Sequence, residues 1–178
     1  MRRFFLLIIT VLLGVYCLFP STAIGGKQLS ATSEQLQALY VQRLVKYVSW
    51  PESVRPDKNK PFIIAATDIK KLRPYFSQKN DATRFKLVQW PAEEAHVLVI
   101  NGAPNREVAA ILKRTADLPL LTIGQSQANL RSGVMINFYM SQGKLKLQIN
   151  PTAAGQAGLF ISSRLMKIAR IYRGKSND

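Results

Sequence analysis

Few side chains in this sequence are equipped to do chemistry. His96 is the only histidine, and it opens the apolar run His96-Val97-Leu98-Val99-Ile100. A lone imidazole at the start of a buried-looking strand reads as a structural residue rather than a general base or a ligand. Cys17 is the only cysteine, so the Cys/His spacings that hold transition metals are missing. The ten acidic residues are scattered, and Glu93-Glu94 is the only adjacent pair. Neighbours in a turn point apart, which does not suit paired acid–base work. Gly124-Gln125-Ser126-Gln127-Ala128 has the outline of a nucleophile elbow, but it lacks the second glycine. Its only available base, His96, also precedes the serine instead of following it. No Gly-rich phosphate loop follows the first strand. These residues predict no catalytic centre, no cofactor site and no metal site.

The elements that position these residues follow from hydrophobic spacing. Thr32 with Gln35 has the form of a capping box. Leu36, Tyr40, Leu44, Val45 and Val48 recur at helical spacing and predict an amphipathic helix over 33–49. Trp50-Pro51 ends it, because a residue before proline is pushed out of helical geometry. Phe62–Ala66 reads as a strand and 68–78 as a helix opened by Thr67 or Asp68. Phe85–Gln89 and 96–100 are further strands, the second continuously apolar as a buried parallel strand is. Asn105 caps a helix running to Thr115, with Val108, Ile111 and Leu112 facing inward, and 120–123 is the next strand. This alternation predicts βαβ units in a single three-layer Rossmann-like α/β domain with a mostly parallel sheet.

The last third has a different pattern. Residues 134–140 and Lys144–Ile149 flank the loop Ser141-Gln142-Gly143 and predict a C-terminal antiparallel hairpin. Lys144, Lys146 and Gln148 alternate with Leu145, Leu147 and Ile149, giving one wet face and one buried face. Asn150-Pro151 opens a short helix that Gly158 closes. Ser162 or Ser163 starts a final helix with Leu165, Ile168, Ala169 and Tyr172 on one side and Arg164, Lys167 and Arg170 on the other.

The amino end predicts export. Arg2 and Arg3 precede the unbroken apolar run 4–13, Pro20 breaks the helix, and Ser21-Thr22-Ala23 supplies small residues for signal peptidase. An uncleaved anchor needs roughly 20 apolar residues, and Pro20 and Ser21 stop the run short even when it is stretched to Phe19. The expected organisation is a signal peptide at 1–23, a flexible lead-in at 24–33 and one α/β domain at 34–173, released into the periplasm. Tyr16 stands where a lipid-attachment cysteine needs a small neighbour, so Cys17 is not read as an anchor. Removing the signal from 178 residues leaves 155, including no cysteine and therefore no intrachain disulfide. A chain of that size buries roughly 68–70% of its unfolded surface and folds by packing alone.

Charge narrows the choice of partners. The chain has 25 basic and 10 acidic residues; two basic ones leave with the signal, so the mature charge is +13. Export argues against nucleic acid. Anionic lipid headgroups, acidic surface polymers, an acidic protein face or a merely solvated basic surface stay open.

Read together, these segments resemble the YfiR family of periplasmic repressors, which includes HmsC-type proteins. The resemblance is carried by Tyr40-Val41-Gln42-Arg43-Leu44-Val45-Lys46-Tyr47-Val48-Ser49-Trp50-Pro51, by His96-Val97-Leu98-Val99-Ile100 and by Leu121-Thr122-Ile123-Gly124. Gly133-Val134-Met135-Ile136-Asn137-Phe138, Ile149-Asn150, Ala157-Gly158-Leu159 and Ile161-Ser162-Ser163 complete it. It implies an α/β fold, a homodimer, and a regulator without enzymatic activity or cofactor. Such a regulator binds the outward-facing sensor of an inner-membrane diguanylate cyclase and holds it inactive, restraining cyclic di-GMP synthesis and biofilm formation. Many relatives carry a cysteine just before the histidine, where this chain has Ala95, so redox control through disulfides does not carry over. Trp50 and Tyr47 are expected in the core, and Gly133 and Gly158 in turns.

Other classes of function remain beside the repressor. A periplasmic module for a small ligand or a polyanion would use the crevice at the carboxyl ends of the strands, near Asn101-Gly102 and Gly124-Gln125. A hydrolase would need Ser126 and His96 together. For the repressor, Arg164, Lys167 and Arg170 form the candidate partner-binding stripe, sharing one face of the final helix at three-residue spacing. It would face an acidic sensor surface or the anionic headgroups beside it; an ordinary solvated helix face is the plainer alternative.

Overall fold

The computed structural model describes residues 32–57, 60–76 and 84–174. The expected signal peptide, most of the lead-in and Gln78 lie outside the described residues. Helix α1 (Ser33–Leu44) begins where Thr32 Oγ1 accepts a hydrogen bond from the Gln35 N–H at 3.2 Å, as the capping spacing requires. It ends at Leu44 rather than Ser49. A 3₁₀ turn (Val45–Tyr47) leads instead into β1 (Val48–Ser49), which pairs antiparallel with β8 (Phe160–Ile161). The late strand offers Val48 and Ser49 a ladder that the sequence around them does not reveal.

The main sheet contains β2 (Phe62–Ala66), β3 (Phe85–Gln89), β4 (Val97–Val99), β5 (Leu121–Gly124), β6 (Ile136–Ser141), β7 (Lys144–Ile149) and β9 (Arg170–Ile171), in the order β3-β2-β4-β5-β6-β7-β9. Every pairing is parallel except β6 with β7. Helices α2 (Ile69–Leu72), α3 (Asn105–Arg114), α4 (Gln127–Arg131), α5 (Pro151–Gln156) and α6 (Ser163–Ile168) complete the element set. The protein is thus a mixed α/β fold with a mostly parallel sheet flanked by helices, plus a separate two-stranded sheet. The central strands are continuously apolar because both of their faces are covered. Ile64, Val97, Val99, Leu121, Ile123, Ile136, Phe138 and Ile149 join Ala38, Val41 and Leu44 of α1 in one cluster. Ala65, Leu98 and Ile100 join Val108 and Ile111 of α3 in the other. Each fully buried aliphatic side chain contributes about 1.5–3 kcal/mol.

Several boundaries differ from the sequence expectation, each for a local reason. The helix expected over 68–78 is only α2, capped by Asp68 and followed by a 3₁₀ turn (Arg73–Tyr75). Pro74 lacks the N–H that a continuing α-helix requires. Asn105 is the first residue of α3 and not its cap; Pro104 holds the cap position without a side-chain bond. The hairpin loop has two residues, not three, since Ser141 pairs with Lys144. Gln142 and Gly143 both have positive φ, 51° and 70°, the geometry that follows the twist of the flanking strands. The final helix stops at Ile168. Ala169 is extended and Arg170–Ile171 adds to the open edge of β7, with the Tyr172 N–H bonded to the Ile149 carbonyl at 2.7 Å. Arg170 therefore lies on a strand. Ile168, expected inward, is 75% exposed, while Leu165 is buried.

Candidate functional site

The chain leaves β2 toward β3 on one side, then returns to place β4 on the other. The carboxyl ends of β2 and β4 therefore form the switch point where open α/β sheets usually seat a ligand. Here polar groups flanking that seat bond to one another. Asn101 is only 2% exposed. Its N–H donates to Thr67 Oγ1 at 2.8 Å, and the Thr67 hydroxyl donates to the Asn101 carbonyl at 2.8 Å. Asn101 Oδ1 accepts from the Asp68 N–H at 3.0 Å, and Nδ2 donates to the Asp68 carbonyl at 2.8 Å. Gln89 Nε2 holds the Thr67 carbonyl from the β3 side at 2.9 Å. Beyond β5, Gln125 Nε2 donates to Gln37 Oε1 of α1 at 2.6 Å. Gly124 meets α4 so closely that a Cβ there would stand 2.9 Å from the Asn129 Cβ. At the crevice expected near Asn101-Gly102 and Gly124-Gln125, these bonds engage the side chains of Asn101 and Gln125 with the protein itself.

The same geometry separates the residues of the hydrolase alternative. Ser126 is the N-cap of α4, its Oγ accepting from the Asn129 N–H at 3.1 Å. It lies past the carboxyl end of β5, whereas His96 precedes the amino end of β4, so the two are at opposite ends of the sheet. His96 Nδ1 accepts from the Ile63 N–H at 3.1 Å, and its ring packs 5.3 Å from Phe62. Burial holds the imidazole below its ordinary value, opposed by a hydrogen bond with the backbone of Val54 and by the Glu94 charge. The ring is a neutral tie between neighbouring strands.

Open space lies at the amino ends of the strands instead. A cleft of about 730 Å³ is lined by Ile63, Lys86, Trp90, Glu93, His96 and Leu118 among others. It continues past Lys60 and Asp57 toward Trp50 and Phe62, which pack edge to face at 5.3 Å. Trp50 is buried and Tyr47 packs against the core, while Gly133 and Gly158 adopt φ of 108° and 71° in turns, as expected. Among the described residues, no group of three or more His, Cys, Asp or Glu side chains converges as a metal site. No described helix is long and apolar enough to cross a membrane.

The candidate partner residues divide. Arg164 and Lys167 are exposed on α6. Arg170, also exposed, is in register with Gln148 of β7, whereas Ile171 is in register with Ile149 and packs on the α1-side core. Arg170 therefore points to the opposite side of the sheet from that core, which Leu165 of α6 also enters. No single helical stripe contains all three cations. Two apolar residues in this part of the chain are exposed: Phe160 at 66%, which the sequence did not single out, and Ile168 at 75%, which its spacing placed inward. The available signal was the brevity of the segment, since a six-residue helix anchored by Leu165 has little room to bury Ile168 as well.

Residues 34–170 match the family model DUF4154, described as YfiR/HmsC-like. No curated protein matches the chain. Among solved structures, it is similar to the ABC domain in complex with L-Trp from Streptococcus pneumonia, at 11% identity and a TM-score of 0.48. That alignment covers 78% of this chain and 62% of the other, so the chain spans less than two thirds of that structure's length.

Proposed function

The chain belongs to the YfiR/HmsC-like family, a family of periplasmic regulators, and from this we propose that it represses an inner-membrane diguanylate cyclase by binding its periplasmic sensor region. Cyclic di-GMP synthesis and biofilm formation fall while the complex holds. The observation that carries the reading is the family match, which spans nearly the whole of the expected mature chain. The switch point supports it, because polar side chains at the ligand seat its topology offers are engaged with the protein's own groups. Ile168, with Arg164 and Lys167 on the same short helix, and Phe160 on β8 are exposed side chains of the kinds a protein interface uses. Cleavage after Ala23, periplasmic residence and a homodimer belong to the same proposal. The deciding experiment is crosslinking in the intact envelope followed by identification of the captured protein, with cyclic di-GMP measured in a deletion strain. Capture of a membrane cyclase and a raised nucleotide level are expected. A deletion strain with unchanged cyclic di-GMP and no captured cyclase would overturn the reading.

A small-ligand module is the second reading, moved from the carboxyl to the amino ends of the strands. The cleft beside Trp90 and His96 has the volume of an ordinary small-molecule site. Native mass spectrometry of protein isolated from the periplasm distinguishes the two, since a ligand module retains a bound small molecule without any cyclase.

A further inference from the structure

One broad surface is not explained by the regulator's proposed protein contact. Leu145, Leu147 and Ile149 of β7 pack into the core with Ile136 and Phe138 of β6. Alternation along the strand puts Lys144, Lys146 and Gln148 on the opposite face. The neighbouring strands extend this face in register, with Tyr139 opposite Lys146 and Arg170 opposite Gln148. Helix α4 reaches only its inner part, where Gln127 Nε2 donates to Gln148 Oε1 at 2.9 Å. Beyond that bond, Lys144, Lys146 and Arg170 are exposed. Arg131 ends α4 one turn past Gln127 and adds another exposed cation on that side of the helix.

The charge on this part of the chain is unbalanced. Between Asp117 and Asp178 the sequence contains no Asp or Glu at all. The ion pairs among the described residues, Lys60 with Asp57 and Lys71 with Asp68, both belong to the other half of the sheet. Among the described residues, no carboxylate after Asp117 is present to neutralise Lys144, Lys146 and Arg170. Among the described residues this face carries no exposed large aliphatic side chain, and its aromatic Tyr139 is only partly exposed. A folded protein partner relies on such anchors, whereas a surface of many dispersed phosphates needs only spread positive charge.

We propose that the uncovered face of β6, β7 and β9, carrying Lys144, Lys146 and Arg170, docks electrostatically on an anionic lipid bilayer. The attachment is separate from the α6 surface assigned to a protein partner. It does not depend on a cyclase being that partner. Its consequence would be to hold the domain close to the membrane, where two-dimensional encounter replaces a search through the compartment.

The test is co-sedimentation of the purified mature protein with vesicles of phosphatidylglycerol and phosphatidylethanolamine, against vesicles of phosphatidylcholine alone. The wild type is expected to bind the anionic vesicles, to ignore the neutral ones and to be released as salt rises. The variant K144E/K146E/R170E should lose binding by more than roughly a hundredfold, from the worth of each basic residue near an anionic surface. The variant R43E/K46E/K113E makes the same charge change elsewhere and should stay within a few-fold of the wild type. If the Glu variant does not fold, K144Q/K146Q/R170Q carries the test with a smaller loss in the same direction. Equal loss in the two Glu variants would reduce the effect to bulk charge and overturn the proposal. So would a wild type that ignores anionic vesicles at low salt. A face variant that keeps lipid binding but loses an acidic protein partner would reassign the face to that partner.

Discussion

Protonation of His96 would place a donor where Nδ1 now accepts from the Ile63 N–H. Burial already depresses this imidazole below its ordinary value of 6.5. A depressed folded value means that the stabilising contribution is complete above the unfolded value and is lost as pH falls through the folded one. The wild type should therefore melt at a lower temperature as pH drops below about 6.5, the unperturbed value for the side chain. In His96→Gln that slope should be shallower, and a scan showing parallel slopes would remove His96 as its source. Asn101→Ala would strip the partners from the Asp68 N–H and carbonyl, costing about 1–3 kcal/mol in chemical denaturation. Asn137 is the opposite case: it is fully buried, and neither amide atom has a hydrogen-bond partner among the described residues. Asn137→Val suits the strand and removes that burden, so stability should rise by about 1–3 kcal/mol. The position of His96 at a strand start was legible in the sequence because the apolar run follows directly. Its bond to Ile63 was not, because it exists only once β2 lies beside β4.

Elements with a strong period were legible, and elements defined by a partner were not. The strands β2 to β7 announced themselves by apolar runs and alternation, and α3 by its inward Val108 and Ile111. By contrast, β1, β8 and β9 have two residues each, too few to show any period. Helix α4 was missed because Gly124 to Ala128 was weighed only as a nucleophile elbow and set aside, although Ser126 followed by Asn129 is an ordinary capping arrangement. The same limit misplaced Arg170, since the open edge of β7 drew the chain out of its helix. The partner surface is correspondingly redrawn around α6. If the proposed cyclase sensor binds here, Phe160→Ala and Ile168→Ala together should weaken that binding by more than about 1 kcal/mol per anchor. Because both side chains are exposed, the melting temperature should barely move. Arg164→Glu with Lys167→Glu should act mainly on the association rate and its salt dependence. Unaltered repression by both double variants would take α6 out of the interface.

At the scale of the whole molecule, the fold class was readable because alternating strands and helices leave few arrangements that bury both sheet faces. The hydrogen bonds at the switch point were not readable, since they take Gln37, Thr67, Gln89, Asn101 and Gln125 meeting across long stretches of chain. If Ala23 marks the cleavage point, intact mass of the exported protein should start at Ile24, and reductant should leave its melting temperature unchanged because no cysteine follows Cys17. A mass retaining residue 17 would undo both expectations. The small β1–β8 sheet adds a constraint on time. Val48 finds its partner in Ile161, and Ser162 donates its N–H to the Tyr47 carbonyl at 2.8 Å. Contacts this distant in sequence form late, because the intervening chain must be brought together before they return any stability. The first strand of the protein therefore waits, unpaired, until nearly the last one is available. Its exposure to proteases and to misassociation during folding is set by how quickly the distant end of the chain arrives.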